Sequence, residues 1–152
     1  MPAKKELAVA ALRHGTVIDH IPASALFSAV HLLGLESMSQ SVTVGNNLPS
    51  GRLGSIGIIK VADTTFDPDT LNRIAIIAPT AVVNVIEDYE VVSKQEVVLP
   101  EEVVDLVKCT NPKCVTCHEP MHSRFTVVSR EPVILKCRYC EHEYTGNGIT
   151  LK

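Results

Sequence analysis

The sequence predicts an α+β chain in two parts. Residues 1–100 read as a split βαβ, ferredoxin-like domain, an antiparallel sheet with two helices and one added strand. Residues 101–152 read as a small all-β domain organised by four cysteines. Three observations predict this. The apolar pattern of the first hundred residues runs strand, helix, strand, strand, helix, strand, strand. All five cysteines lie between Cys109 and Cys140. Aromatic residues make up only 4% of the chain, with no Trp, so both cores must be aliphatic and rich in the β-branched residues that favour strands.

The first strand is Thr16 to Ile21, closed by Pro22. Ser24 is placed to cap a helix whose apolar positions are Leu26, Phe27, Val30 and Leu33, ending before Gly34. Ser41 to Val44 alternates as a strand, and Asn46 to Gly51, with Pro49 inside it, reads as a loop. Ile56 to Val61 is the next strand. Asp67 followed by Pro68 is an N-cap with proline in the first helical position, and Leu71, Ile74, Ala75 and Ala78 mark one apolar face before Pro79. Ala81 to Ile86 and Tyr89 to Ser93 are strands joined by Glu87 and Asp88. The stretch from Val97 to Glu102, broken by Pro100, is the junction between domains. Beyond it, Phe125 to Val128 and Val133 to Leu135 are the strands that flank the cysteines.

Charge narrows the function classes. Residues 1–100 carry seven Lys and Arg against ten Asp and Glu, and residues 101–152 carry seven against seven. Neither part has the basic excess of a nucleic-acid binder, so any anionic ligand requires a local group of cations. Met1 to Leu7 lacks the apolar core of a signal peptide, and no run approaches the roughly 20 apolar residues of a membrane span. The expectation is a cytoplasmic protein with no membrane or nucleic-acid partner.

In a reducing compartment, closely spaced cysteines are metal ligands before they are disulfides. Four thiolates around Zn²⁺ form a closed tetrahedral site with no position left for water, which makes the metal structural. A unit of about fifty residues buries little core, so binding of the metal would supply folding free energy. Spacing leaves two ligand sets open. Cys114 and Cys117 with Cys137 and Cys140 are two CxxC pairs separated by 19 residues, leaving Cys109 over. Cys109 and Cys114 with the same second pair leave Cys117 over. Cys114-Val115-Thr116-Cys117-His118 also matches a haem-attachment pattern, but without an export signal that reading fails, and a redox CxxC lacks its usual surroundings. His118 and His122 read as loop residues.

Three strings are distinctive: Gly15 to Pro22 (GTVIDHIP), Asn47 to Gly51 (NLPSG) and Asn84 to Val92 (NVIEDYEVV). With the C-terminal cysteines, and in this order, they resemble the regulatory chains of aspartate carbamoyltransferase over essentially the whole length. The resemblance implies a non-catalytic subunit with an N-terminal nucleotide-binding allosteric domain and a C-terminal zinc domain that docks on a separate catalytic chain. It implies a homodimer through the allosteric domain, and an assembly of two catalytic trimers and three regulatory dimers. CTP typically inhibits and ATP typically activates at one site, modulating the catalytic chains of pyrimidine biosynthesis.

The same resemblance assigns residues. His20, Lys60 and Lys94 match phosphate and ribose contacts, and Asp19 can accept from ribose hydroxyls. The backbones of Val9, Ala11, Leu12, Tyr89 and Val91 match positions that read the base or line the pocket, and Asn84 matches another pocket position. The family's ligand spacing, four residues between the first pair and two between the second, selects Cys109, Cys114, Cys137 and Cys140 for one structural Zn²⁺ per chain, with Cys117 spare. The chain departs from the family at Ile56 and Glu6, where lysines are common. Taken singly, His20 also reads as a strand end, Lys60 and Lys94 as solvent-facing lysines, and Asp19 as a turn acceptor. A zinc-ribbon nucleic-acid module is disfavoured by the charge balance, and a stand-alone enzyme by the lack of an open metal site or nucleophile–base pair.

Overall fold

The computed structural model describes residues 12–51 and 54–152. The chain divides into two compact units, Met1–Val98 and Leu99–Lys152.

In the first unit, β1 (Gly15–Pro22), β2 (Val42–Ser50), β3 (Gly54–Ala62), β4 (Val82–Glu87) and β5 (Glu90–Glu96) form one sheet in the order β2-β3-β1-β4-β5. Every neighbouring pair is antiparallel. This is the split βαβ order with β5 added beside β4. Helices α1 (Leu26–Leu32) and α2 (Pro68–Arg73) follow β1 and β3, each continuous with short 3₁₀ turns. The core face carries Ile18, Ile59, Val61 and Val83, all at most 1% exposed, under Leu26, Ala29, Leu71, Ile74 and Ala75 from the helical segments.

Two glycines permit close approaches here. A Cβ on Gly57 of β3 would stand 2.7 Å from Leu26 Cδ1, so α1 lies tight on the strand. A Cβ on Gly15, whose φ is +141°, would stand 2.1 Å from the Val61 carbonyl oxygen. The predicted start of α2 forms as expected, with Asp67 accepting from the Thr70 N–H at 2.7 Å and Pro68 in the first turn.

Several local expectations are corrected. Asn46 to Ser50 is not a loop but the second half of β2, displaced by a register shift between Gly45 and Leu48. Ser24 caps nothing, because a 3₁₀ turn starts at Ala23 behind Pro22. That turn rotates the helix, so Leu26, Ala29 and Leu33 are buried while Phe27 is 70% exposed. Tyr89 is a turn residue: Asp88 and Tyr89 both have positive φ, the geometry of a two-residue hairpin turn.

In the second unit, β6 (Glu102–Val104), β8 (Arg124–Arg130), β9 (Val133–Cys137) and β10 (Glu143–Thr145) form a sheet ordered β10-β9-β8-β6, and β7 (Val107–Lys108) pairs with β11 (Thr150–Leu151). Phe125, Leu135 and Val107 are fully buried, with Val103 beside them in the core. Glu102 accepts from Arg124 at 2.8 Å and from Arg138 at 2.6 Å, tying β6 to β8 and to the second cysteine turn. No helix among the described residues is long and apolar enough to cross a membrane.

Candidate functional site

The sheet of the first unit has one face under the helices and one without them. Strand register decides what stands on the second. Val17 of β1 pairs with Lys60 on one side and Asn84 on the other, and Asn84 pairs with Lys94. Thr43 continues the row beyond Lys60. Directly opposed residues in an antiparallel sheet project to the same face, so Lys60, Asn84 and Lys94 share one. Asp19, two residues along β1 from Val17, pairs with Val82, and Val82 with Glu96, forming a second row on that face.

Thus two ammonium groups flank a central amide, with the carboxylates of Asp19 and Glu96 in the adjoining row. Lys60 and Lys94 are three strand spacings apart, about 14 Å. Burial lowers the Lys60 pKa below its ordinary value, and the nearby Asp19 charge pulls it back up. A partly desolvated ammonium of this kind is favoured by an anion placed against it.

His20 stands at the end of these rows. Its φ is +59°, at the register shift that interrupts the pairing of β1 with β3. The Asp19 carboxylate holds it, accepting from the His20 N–H at 2.7 Å, and its carbonyl accepts from the Thr80 hydroxyl at 2.9 Å. His20 lines a cavity of about 490 Å³ with Ser50, Gly51, Pro79, Thr80, Val82 and Glu96. That cavity adjoins the lysine rows, and among the described residues it is lined by neither lysine and by one carboxylate, Glu96. We take the sheet face, where the cations are, as the centre of the candidate anion site.

The remaining expected positions separate. The Tyr89 N–H donates to the Arg13 carbonyl at 3.0 Å, so that backbone donor is already engaged within the chain. Val91 pairs with Ile86 and is exposed. Leu12 is half-buried beside Gly15. Val9 and Ala11 lie outside the described residues.

In the second unit, two turns bring thiols together. The Cys114 N–H donates to the Asn111 carbonyl at 2.9 Å, closing the turn after Cys109. In the second turn the Glu141 N–H donates to the Cys137 carbonyl, with Glu141 at positive φ. The sulfurs of Cys109, Cys114, Cys137 and Cys140 all lie within 4.8 Å of one another. Cys109 and Cys140 are 3.6 Å apart and Cys114 and Cys137 3.7 Å. Sulfurs held at about 2.3 Å from a central tetrahedral Zn²⁺ would stand about 3.8 Å apart, so the donor set fits such an ion. Cys117 is exposed and its thiol faces the carbonyls of Cys109 and Asn111 instead.

Without a cation this cluster is electrostatically awkward. Burial pushes the Cys109 thiol up to about 12, against the hydrogen bond from Tyr144. Burial also raises Cys137. At Cys140 burial acts the same way, but hydrogen bonds at His142, Asn111 and the neighbouring thiols outweigh it and bring the thiol down to about 7. Four thiolates in this space need a dication to hold them, and metal uptake would release protons.

Two hydroxyls approach the sulfurs. Tyr144 Oη is 3.3 Å from Cys109 Sγ and Thr116 Oγ1 is 3.1 Å from Cys114 Sγ. Sequence reasoning missed both, as it missed Thr80 and Glu96, because no spacing rule points to them.

The sequence profile for the aspartate carbamoyltransferase regulatory chain, allosteric domain, matches residues 7–98, and that for the metal binding domain of the same chain matches residues 101–150. A protein of Parabacteroides distasonis named aspartate carbamoyltransferase regulatory chain is 54% identical over 98% of this chain and 97% of its own length. Its namesake in Porphyromonas gingivalis is 51% identical over 97% and 98%, and that in Thermococcus sibiricus 43% identical over 95% and 96%.

Proposed function

The chain belongs to the family of aspartate carbamoyltransferase regulatory chains, and on that premise we propose that it binds CTP or ATP on the open face of its five-stranded sheet and passes the effect to catalytic chains through a structural Zn²⁺ unit. The observation that carries the nucleotide reading is the row across four strands in which Lys60, Asn84 and Lys94 share one face, with Val17 between Lys60 and Asn84 and with Asp19 in the next row. Lys60 and Lys94 offer point charges to a triphosphate, and Asp19 accepts from ribose hydroxyls. His20 closes the end of the site. Asn84, the Tyr89 carbonyl and the backbones of Val9, Ala11, Leu12 and Val91 are left to read the base.

In this reading Zn²⁺ is held by Cys109, Cys114, Cys137 and Cys140, and Cys117 is not a ligand. The ion supplies cohesion to a unit with a small core and takes no part in a reaction. The subunit itself is regulatory and non-catalytic, in keeping with relatives named as regulatory chains. Carbamoyl transfer to aspartate would occur on a partner chain against which the zinc unit docks, and copies of this chain would pair through the first unit to join two catalytic trimers with three dimers. Regulation requires that the nucleotide bind two assembly states unequally, a coupling typically worth about 1–3 kcal/mol.

The nucleotide claim is tested by calorimetric titration of the purified chain with CTP and with ATP, alongside Lys60→Ala and Lys94→Ala. Each variant should bind at least about tenfold more weakly, with an unchanged melting temperature, since each loses a charge-assisted contact of about 1.5–3 kcal/mol. Unaltered affinity in both variants would move the site off this face.

A further inference from the structure

Tyr144 sits on β10 and pairs with Leu135 of β9, the strand that ends in Cys137. Its ring is buried, edge-on to Phe125 at 6.0 Å between centroids and tilted against His142 at 4.9 Å. Those contacts fix the ring, and its hydroxyl reaches across to the other ligand loop. There it receives the Thr110 N–H at 3.1 Å and stands 3.3 Å from Cys109 Sγ. A phenol has one proton to give. Since its oxygen already accepts from Thr110, the proton is directed at the sulfur. A thiolate bound to a metal has no proton, so in the loaded site only Tyr144 can be the donor of this pair.

We propose that Tyr144 is a positioning residue for the metal centre, its hydroxyl donating to the Cys109 thiolate so as to orient that ligand and lower its charge density. This rests on the reading that the four thiols hold a metal. A hydrogen bond of this kind withdraws electron density from the sulfur, which makes the thiolate a weaker nucleophile and holds it in the geometry the ion requires. Outer contacts to metal ligands typically govern affinity by about 10–100-fold. Thr110, which supplies the N–H to Tyr144, immediately follows Cys109, so one backbone group and one side chain lock the first ligand from both sides.

The test is Tyr144→Phe in the full chain, which keeps the ring and removes only the hydroxyl, with Tyr144→Leu as the packing control. Cobalt(II)-loaded and zinc-loaded forms are compared. In Tyr144→Phe the sulfur-to-cobalt charge-transfer band should move to longer wavelength. Zinc affinity in chelator competition should fall about tenfold. Limiting N-ethylmaleimide should modify Cys109, located by peptide mass spectrometry, several-fold faster than in the parent. Incorporation of 3-fluorotyrosine, a stronger donor of the same shape, should move the cobalt band the other way, which gives a readout even where the Phe variant folds poorly. An unmoved band in Tyr144→Phe or on fluorotyrosine incorporation overturns the proposal, as does a zinc affinity that falls only in Tyr144→Leu. A parent chain that takes up no metal would overturn the metal reading itself, a result distinct from either.

Discussion

Replacing Cys109 by serine separates the two ligand sets that spacing leaves open, and its effect can be sized. Structural zinc sites contribute about 10–16 kcal/mol at neutral pH, so each of four thiolates accounts for about 2.5–4 kcal/mol. Loss of one therefore weakens zinc binding by about 60- to 1,000-fold. Cys109 is 2% exposed and its sulfur lies within the four-thiol group. Cys117 is different: exposed, it offers one weak S–H donor that faces two carbonyls, and a serine hydroxyl can donate in the same place. Zinc content after dialysis against a graded chelator series is the assay. Cys109→Ser should lose its metal and the fold of residues 99–152 while nucleotide binding by the first unit survives, and Cys117→Ser should keep a full equivalent. Retention of zinc in the first variant together with its loss in the second would refute the assignment.

Further outcomes follow from the packing. Phe125→Ala removes a fully buried ring that supports Tyr144, and should cost about 3–5 kcal/mol in a urea melt of the metal-loaded chain. Gly15→Ala forces a Cβ to 2.1 Å from the Val61 carbonyl oxygen, so β1 and β3 must separate locally and the melting temperature of the first unit should fall by several degrees. The hydrogen bond from Thr70 holds the Asp67 carboxyl below its usual range, so its stabilisation is complete above the unfolded value near about 4 and is lost as pH falls through the lower folded value. The stability difference between the parent and Asp67→Asn, measured by denaturant melts at pH 7 and below pH 4, should therefore shrink toward acid.

The parts of this molecule that were legible in the sequence are those decided within a few residues. Asp67 and Pro68 start a helix by local chemistry, and the apolar set Leu71, Ile74, Ala75 and Ala78 is buried as its spacing predicts. The misreadings have equally specific causes. Pro49 suggested a loop, yet β2 is an edge strand, where a residue without an N–H is tolerated. Phe27 was expected inside, but the 3₁₀ turn before α1 shifts the phase of a seven-residue helix. The three-residue strands β6 and β10 exist only through pairing with β8 and β9, which no local pattern announces.

The candidate sites divide in the same way. Cysteine spacing pointed to a metal but not to a single ligand set, and the choice between Cys109 and Cys117 came from resemblance. The alignment of Lys60 with Asn84 and Lys94 depends on the register of four strands, β3, β1, β4 and β5, including the irregularity where β4 meets β5. Residues 60, 84 and 94 carry no common motif, and only pairing through β1 makes them neighbours. Tyr144 reaches Cys109 from 35 positions away, through a strand too short to recognise.

The central claim is that nucleotide binding here biases a partner's catalysis. It is tested most directly by mixing the zinc-loaded chain with aspartate carbamoyltransferase catalytic trimers and measuring aspartate saturation with no nucleotide, with CTP and with ATP. The account predicts that at least one nucleotide displaces the curve, and that the displacement disappears in Lys60→Ala/Lys94→Ala. Superimposable curves under all three conditions, in a mixture shown by sedimentation to be assembled, would contradict it.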